Sequence, residues 1–377
     1  MKIMKMGILG GGQLARMLAE AGGPLGLDFV IVDPKADACA AALGEFVRAD
    51  YDDPGALARL AECERVTCDF ENVPAAALAW LAGRVDVRPS AEALAASQDR
   101  LTEKDRFRRL GMDTPDYRQI DTRPDLAAAV EALGYPAVLK TRRFGYDGKG
   151  QAVLRGPEDL EPAWQELGGQ PLIAERWVPF DHECAVTAVR TADGEVRFWP
   201  LTRTWHGDGI LRLAGSPFAG SEQLQQPAEE LIRRLADDLD YIGCLTLELF
   251  VADGRLLANE FAPRVHNSAH WTIEGAACSQ FENHLRAVCG WPPGETAGRG
   301  ASLMFNFIGR MPEARERWLA VPGLHWHDYD KQPRAGRKVG HATLCAPDRP
   351  ELRERARALA PLLDSETARA LASIASG

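Results

Sequence analysis

Leu245-Thr246-Leu247-Glu248-Leu249-Phe250 and Leu256-Leu257-Ala258-Asn259-Glu260-Phe261 decide how this chain is read. Both are short apolar runs, and between them Val251-Ala252-Asp253-Gly254-Arg255 carries the Asp-Gly pair that hairpins favour. The runs are therefore expected to pair as antiparallel strands, each with one carboxylate among apolar neighbours. A lone acid in such a strand usually faces solvent. Two acids on paired strands pose a sharper question: do they share a face? A three-residue loop over 252–254, with Gly254 left-handed, pairs 251 with 255 and puts both on one face. A two-residue loop puts them on opposite faces. On one face they repel unless a cation neutralises them. Mg²⁺ suits this, because it takes few carboxylates and completes its shell with nucleotide phosphate oxygens. Asn259 then points away.

Upstream, Ala137-Val138-Leu139-Lys140 reads as a strand ending in a cation. Gly145-Tyr146-Asp147-Gly148-Lys149-Gly150-Gln151 follows. A glycine-rich loop of this kind can fold over a triphosphate with its N–H groups and Lys149, while Lys140 on a rigid strand holds the inner phosphates as a point charge. The spacing is not that of a Walker loop, and Asp147-Gly148 also fits an ordinary hairpin turn. An earlier loop, Gly10-Gly11-Gly12-Gln13-Leu14-Ala15, fits G-x-G-x-x-A, and Asp33 ends the next strand where a ribose-binding acid would sit. Alone, that suggests a dinucleotide-dependent oxidoreductase, although any phosphate would satisfy a glycine loop at a helix N-terminus.

The first 90 residues alternate short strands (6–9, 29–32, 65–70) with helical patterns (13–21, 54–62, 75–81), implying a parallel sheet covered on both faces. One long helix over 91–110 is expected to lead into a second α/β region, with a helix at 125–133 and strands at 137–140, 151–154 and 171–177. Antiparallel hairpins follow around 192–195 and 252–255, then a helix at 280–288. After about residue 300 come short strands, turns and a last helix at 351–363. The expected domains are 1–95, Rossmann-like; 96–295, a two-part nucleotide-clamping region with a lid at about 115–178; and 296–377, small and mostly β. The class is α/β and α+β.

The balance of 44 Lys+Arg against 54 Asp+Glu gives a net charge of −10, which disfavours nucleic acid or an anionic membrane as partner. No stretch is long and apolar enough to span a bilayer. The eight cysteines form no C-x-x-C pair, and Cys63 and Cys68 lack the second pair a zinc site needs. They read as reduced core thiols in a cytoplasmic protein.

Taken together, Lys140, the 145–151 loop and the Glu248/Glu260 strands resemble the ATP-grasp superfamily. Within it, the chain is similar to the 5-(carboxyamino)imidazole ribonucleotide synthases. Further matching stretches are Gly10–Met17, Phe70–Pro74, Asp99–Lys104, Asp208–Leu211, Asn259–Ser268, His270–Thr272 and Gly336–His341. The resemblance implies that ATP phosphorylates bicarbonate to carboxyphosphate, and that the amine of aminoimidazole ribonucleotide is then carboxylated in a closed site, within purine biosynthesis. ATP and Mg²⁺ are the implied cofactors, and a homodimer the implied assembly.

It also implies roles. Arg100, Lys140 and Gly145–Gln151 (Gly145, Tyr146, Asp147, Gly148, Lys149, Gly150, Gln151) contact ATP phosphates. Glu175, Arg176, Trp177 and Val178 form the hinge that reads adenine. Glu183 holds the ribose, and His206 and Asn259 lie on the nucleotide side. Glu248 and Glu260 carry the metal. Glu71, Tyr146 and Arg264 surround the carboxyphosphate, with Lys338 as a further catalytic group. Gln13, Leu14, Asn72, His266, Asn267, Ser268, Lys331, Arg337 and Lys338 serve the ribonucleotide. Many relatives have Arg at the position of Lys149, so the bidentate fork is absent here. The bland alternatives are a solvated basic face for Arg337-Lys338, packing for Trp177 and Trp271, and a structural role for His341. The rival functions are the formate-dependent glycinamide ribonucleotide transformylase, which has Glu where Gln13 stands, the oxidoreductase, and a non-catalytic nucleotide sensor.

Overall fold

Hydrophobic runs of the N-terminal third fold as a parallel sheet with both faces buried. The computed structural model describes residues 4–145 and 148–376; the roles expected of Tyr146 and Asp147 fall outside the described residues. Strands β1 (Met4–Leu9), β2 (Leu27–Val32), β3 (Glu45–Val47), β4 (Arg65–Cys68) and β5 (Asp86–Val87) lie in the order β3-β2-β1-β4-β5, all parallel. Alternation along β1 and β2 divides the side chains. Met6, Ile8, Phe29 and Ile31 pack under the helix Gln13–Gly22, while Leu9, Val30 and Val32 pack under Leu57, Leu60 and Leu78 on the other face. β3 and β5 are too short for any period to show in sequence.

The single helix expected over 91–110 is two, Ala91–Ser97 and Arg100–Arg109. Asp99 separates them, its carboxylate accepting from the N–H groups of Leu101 and Thr102. A second sheet follows. Strands β6 (Tyr117–Ile120), β7 (Ala137–Thr141), β8 (Gln151–Leu154) and β9 (Leu172–Arg176) run antiparallel in the order β6-β9-β7-β8. The helices Arg123–Leu133 and Leu160–Leu167 bury Leu126, Val130 and Leu167 against it.

The third sheet is the largest. It comprises β10 (His182–Arg190), β11 (Val196–Phe198), β12 (Thr202–Gly207), β13 (Ile210–Ser216), β14 (Gly243–Ala252), β15 (Arg255–Ala262), β16 (Ala301–Ile308), β17 (Leu324–Asp328) and β18 (Lys338–Ala346). Its order is β15-β14-β10-β12-β13-β16-β18-β17, with β11 beside β10. The chain beyond residue 300 therefore does not build a sheet of its own. β16 and β18, eight and nine residues long, extend the central sheet through β13, paired with β16 from Leu213↔Phe305 to Ser216↔Ser302. The last helix also differs from expectation. It is Arg349–Leu359, and a further helix, Ser365–Ser376, follows after Pro361 interrupts the pattern and Asp364 accepts from the N–H groups of Glu366 and Thr367. The helix Ser221–Asp238 has no counterpart in the sequence reading; Pro227 interrupts its pattern, yet Ala228, Ile232 and Leu235 are buried.

One buried histidine ties the first sheet to the third. Cys244 donates its backbone N–H to His284 Nδ1 (3.1 Å), which leaves the proton on Nε2, 2.8 Å from Thr67 Oγ1. Burial holds the ring down to about 4, so it stays neutral in the fold. Unfolding exposes it to its ordinary value near 6.5, so the unfolded chain binds its proton first as pH falls. The stability advantage of wild type over His284→Asn should shrink by about 1.4 kcal/mol per pH unit as pH falls from about 6.5 towards 4. Urea unfolding of both proteins across that range measures it, and parallel curves would remove the neutral-ring assignment.

Candidate active site

The turn joining β14 to β15 is a two-residue one. Asp253 (φ 50) and Gly254 (φ 70) are both left-handed, and Ala252 pairs with Arg255. By itself this register would oppose Glu248 to Asn259 and turn Glu260 away. The ladder instead slips between Glu248 and Leu249: Leu249 pairs with Ala258, and Glu248 pairs with Glu260. Asn259 is the extra residue of a β-bulge. The two acids do share a face, but through the bulge and not through a three-residue loop. Nor does Asn259 point away. It lines the same cleft, and its Oδ1 is buried with no hydrogen-bond partner.

The helix Arg100–Arg109 supports this irregularity from behind. Lys104 Nζ donates to the carbonyls of Asn259 (2.7 Å) and Ala258 (3.4 Å), and Glu103 accepts the N–H of Phe261 (2.7 Å). Lys104 is only 1% exposed and turns its third proton towards Glu175 Oε2 at 3.5 Å. Glu175 also accepts from Lys140 at 3.0 Å. Burial opposes ionisation of Glu175, yet Lys104, Lys140 and Arg100 hold its carboxyl at about 2. Its side chain thus fixes Lys140 on β7, a role beyond the hinge expected from sequence. Glu103 and Lys104 lie in the matching stretch Asp99–Lys104 but drew no role there; they stand four and five residues after the N-cap Asp99, in the second turn of the helix.

Around the acid pair the electrostatics are lopsided. Arg100 Nη1 donates to Glu260 Oε2 at 2.7 Å, and despite burial the Glu260 carboxyl is held at about 2. Burial and the facing Glu260 push Glu248 up to about 7. The pair therefore lacks one positive charge, and with the open Asn259 oxygen it forms an all-oxygen set that fits Mg²⁺. Among the described residues no three His, Cys, Asp or Glu side chains converge as a complete protein cage, so such an ion would need phosphate or water oxygens as well. His266 faces Glu248 from the other side (Nε2 to Oε1, 3.3 Å). Burial and the charge of Arg264 hold His266 neutral, and its Nδ1 accepts from the Ser268 N–H, so Nε2 carries the proton.

The cleft of about 230 Å³ lies between the second and third sheets. Lys140, Glu175, Arg176, Trp177 and Val178 line it from one side, and Glu183, His206 and Glu248 from the other. Glu183 accepts from His206 Nδ1 at 2.7 Å; although burial opposes charge on the ring, that bond raises its pKa. Phe180 and Phe250 stack at 4.9 Å and form an apolar wall that the sequence reading missed. The signal was there for Phe250, two residues beyond Glu248 on the same face of its strand. The glycine loop lies against this cleft. Arg100 Nη2 donates to Gly145 O at 3.3 Å. A Cβ on Gly148 (φ +75) would lie 2.6 Å from Asp208 O, and one on Gly150 (φ +68) 2.5 Å from Thr141 Oγ1. Only glycine lets the loop rest on the turn between β12 and β13. Gln151 sits at the loop's far root, paired with Lys140.

A second group of expected residues gathers beside the first. Arg264 Nε donates to Glu71 Oε2 at 2.6 Å, and Lys331 Nζ bonds Gln13 Oε1. Lys338, first residue of β18, acts electrostatically on Glu248, His206 and His266. Arg337 is near enough to depress Lys331, which burial already pulls to about 8. Leu14 is buried under the first loop, and Asn72 follows Glu71 in the loop after β4. Asn267 is different: its amide is spent on reciprocal bonds with Asn306 (3.0 and 2.7 Å), and Ser268 Oγ bonds His266. Those two residues brace the site from within the protein. His341 and Trp271 are wholly buried, while Trp177 stands 42% exposed at the cleft.

The first glycine loop contradicts the dinucleotide reading. Gly11 N–H is taken by Asp33 Oδ2 (2.9 Å) and Gly12 N–H by Asp69 Oδ2 (2.6 Å). Asp33 also accepts from Tyr51 OH and the Lys35 N–H. Neither carboxylate is free for a ribose, and two loop donors are used internally.

Two sheets clamping a cleft, a lysine on one, a facing acid pair on the other and a glycine loop between them define an ATP-grasp enzyme. Family models agree: an ATP-grasp domain matches residues 105–281, a ribonucleotide synthetase preATP-grasp domain 3–98, and a phosphoribosylaminoimidazole carboxylase C-terminal domain 302–355. The N5-carboxyaminoimidazole ribonucleotide synthase of Pseudomonas aeruginosa is 52% identical over 96% of this chain and 100% of its own length. The crystal structure of the Thermus thermophilus synthetase superposes with a TM-score of 0.91 at 50% identity, covering 96% and 99% of the two chains. An Aspergillus clavatus synthase, crystallised with ADP and 5-aminoimidazole ribonucleotide, gives 0.89 at 34% identity over 97% and 99%. The chain belongs to the N5-carboxyaminoimidazole ribonucleotide synthases, which sets aside the formate-dependent rival.

Replacing Lys104 by Met removes the donor to the Asn259 carbonyl and one of the two lysines paired with the buried Glu175 carboxylate. Lys104→Met should cost roughly 3–5 kcal/mol of stability, as breaking a buried pair from one side does. Urea denaturation measures this, and a loss under about 1 kcal/mol would show that the bulge does not depend on that ammonium.

Proposed function

We propose that this chain forms N5-carboxyaminoimidazole ribonucleotide from 5-aminoimidazole ribonucleotide, bicarbonate and ATP by way of carboxyphosphate. ATP-dependent conversion of the aminoimidazole ribonucleotide is the activity of its family, in purine biosynthesis. The observation that carries the finer reading is the Glu248–Glu260 pair opposed across the Asn259 bulge, with Arg100 and Lys140 beside it.

In this reading Lys140, Arg100 and the Gly145–Gln151 backbone neutralise the triphosphate. The stacked Phe180 and Phe250 and the backbone of Trp177 and Val178 receive the adenine, with Glu183 and His206 at the ribose. Glu248, Glu260 and the Asn259 oxygen would hold Mg²⁺, which when bound supplies positive charge to the phosphates. Bicarbonate oxygen attacks the γ-phosphorus, ADP leaves, and carboxyphosphate breaks down to CO₂ and phosphate. The exocyclic amine adds to the carbon and loses a proton. Glu71 aligns Arg264, and Arg264 with Lys338 offsets the anionic charge of the intermediate. Neutral His266 presents an N–H to the same space. Gln13, Lys331 and Arg337 hold the ribonucleotide phosphate end, and closure of the glycine loop excludes water. The assembly is read as a homodimer in the cytoplasm, on family resemblance.

Phosphate release from ATP should rise when aminoimidazole ribonucleotide and bicarbonate are added, and should not respond to formate with glycinamide ribonucleotide. Glu260→Ala should abolish this release while circular dichroism stays unchanged; wild-type turnover in that variant removes the metal assignment. Lys338→Ala should raise the KM for the ribonucleotide far more than that for ATP, and equal changes in the two would relocate the substrate site.

A further inference from the structure

A second hollow, sharing no residue with the nucleotide cleft, lies where the C-terminal helices cross the central sheet. Its volume is about 510 Å³, within the range of small-molecule sites. Leu303 from β16, Phe218 after β13, and Leu352, Ala356 and Leu371 from the two helices make most of its wall apolar. Arg203, Arg349, Arg353 and Arg357 also line it, and among the described residues no acidic one does.

That imbalance is unusual for this chain, which carries ten more acids than bases. Many of its other arginines are tied to carboxylates, as Arg59 is to Glu45 and Arg106 to Asp238. Arg203, Arg353 and Arg357 have no such partner among the described residues. Arg203 is partly buried, so desolvation pulls its guanidinium below the usual value, and no neighbouring acid offsets this. Asp364 and Glu366, at the start of the last helix, face Arg212 instead. A guanidinium taken partly out of water without a counter-charge is costly, and an anion arriving from solution relieves that cost.

We propose that this hollow binds a small amphipathic anion, an aliphatic or aromatic body with one carboxylate, sulfonate or phosphate. The body fills the apolar wall, and the head group is clamped by Arg203 and Arg353 at the rim, where a planar guanidinium suits two parallel hydrogen bonds. A neutral apolar ligand would leave Arg203 and Arg353 without a counter-charge. A polyanion would carry more charge than the apolar wall can accept.

The test uses 8-anilinonaphthalene-1-sulfonate on the full chain, with saturating ADP present to occupy the nucleotide cleft. Wild type should bind one equivalent with blue-shifted emission. Octanoate should displace the dye, octanol should not, and added NaCl should weaken binding. Arg203→Gln with Arg353→Gln should raise the Kd for the dye at least tenfold while turnover is retained. Ala372→Trp, at the exposed rim, should block the hollow and abolish saturable binding. The proposal is overturned by unsaturable binding in wild type or by an unchanged Kd in the double variant. It is equally overturned if sedimentation shows Ala372→Trp splitting a dimer, because the hollow is then covered by a second copy of this chain.

Discussion

Two carboxylates placed face to face inside a protein repel, and the arrangement survives only because cations surround it. Arg100 satisfies Glu260 directly, and Glu248 retains its proton to about pH 7 while that neighbour stays ionised. Lys104 and Glu103 occupy the backbone groups that the bulge leaves without ladder partners. Lys140 is steadied by Glu175, and Glu175 by Lys104. Each charge is held by a neighbour on a different element, so the hinge strand β9, the loop root and the acid-bearing strand form one electrostatic unit. The unit is short of positive charge where a nucleotide-bound cation would sit.

Much of this was legible in sequence, and the reasons differ by element. The parallel sheet showed itself because strands buried on both faces are apolar runs separated by helical periods. The acid pair showed itself because a carboxylate within Leu-Thr-Leu-Glu-Leu-Phe is out of place. The loop geometry was not legible. Asp253-Gly254 serves a two-residue or a three-residue turn, and nothing local announces a bulge at Asn259. Its signature is distributed: a lysine and a glutamate on a helix some 155 residues earlier meet the backbone it frees. Contacts of that separation leave no periodic trace.

The first glycine loop teaches the converse. Its spacing fits a dinucleotide fingerprint, and Asp33 stands where a ribose ligand belongs. Burial reverses the meaning. Asp33 and Asp69 turn inwards and cap the loop's own N–H groups. A motif defined by residue type and spacing does not say whether its donors face a ligand or a carboxylate of the same chain. Gln13 escapes this closure and meets Lys331 from the far end of the sequence.

The central sheet runs without a break from the acid-bearing hairpin to β17. Lys338 opens β18 only three strand positions from β12, which carries His206. The halves that handle phosphate and ribonucleotide are thus hydrogen-bonded into a single plate. Recombination between relatives at a crossover near residue 295 would divide that plate along the β13–β16 seam. Such hybrids inherit a mismatch at Leu213 against Phe305 unless both sides of the seam come from one parent.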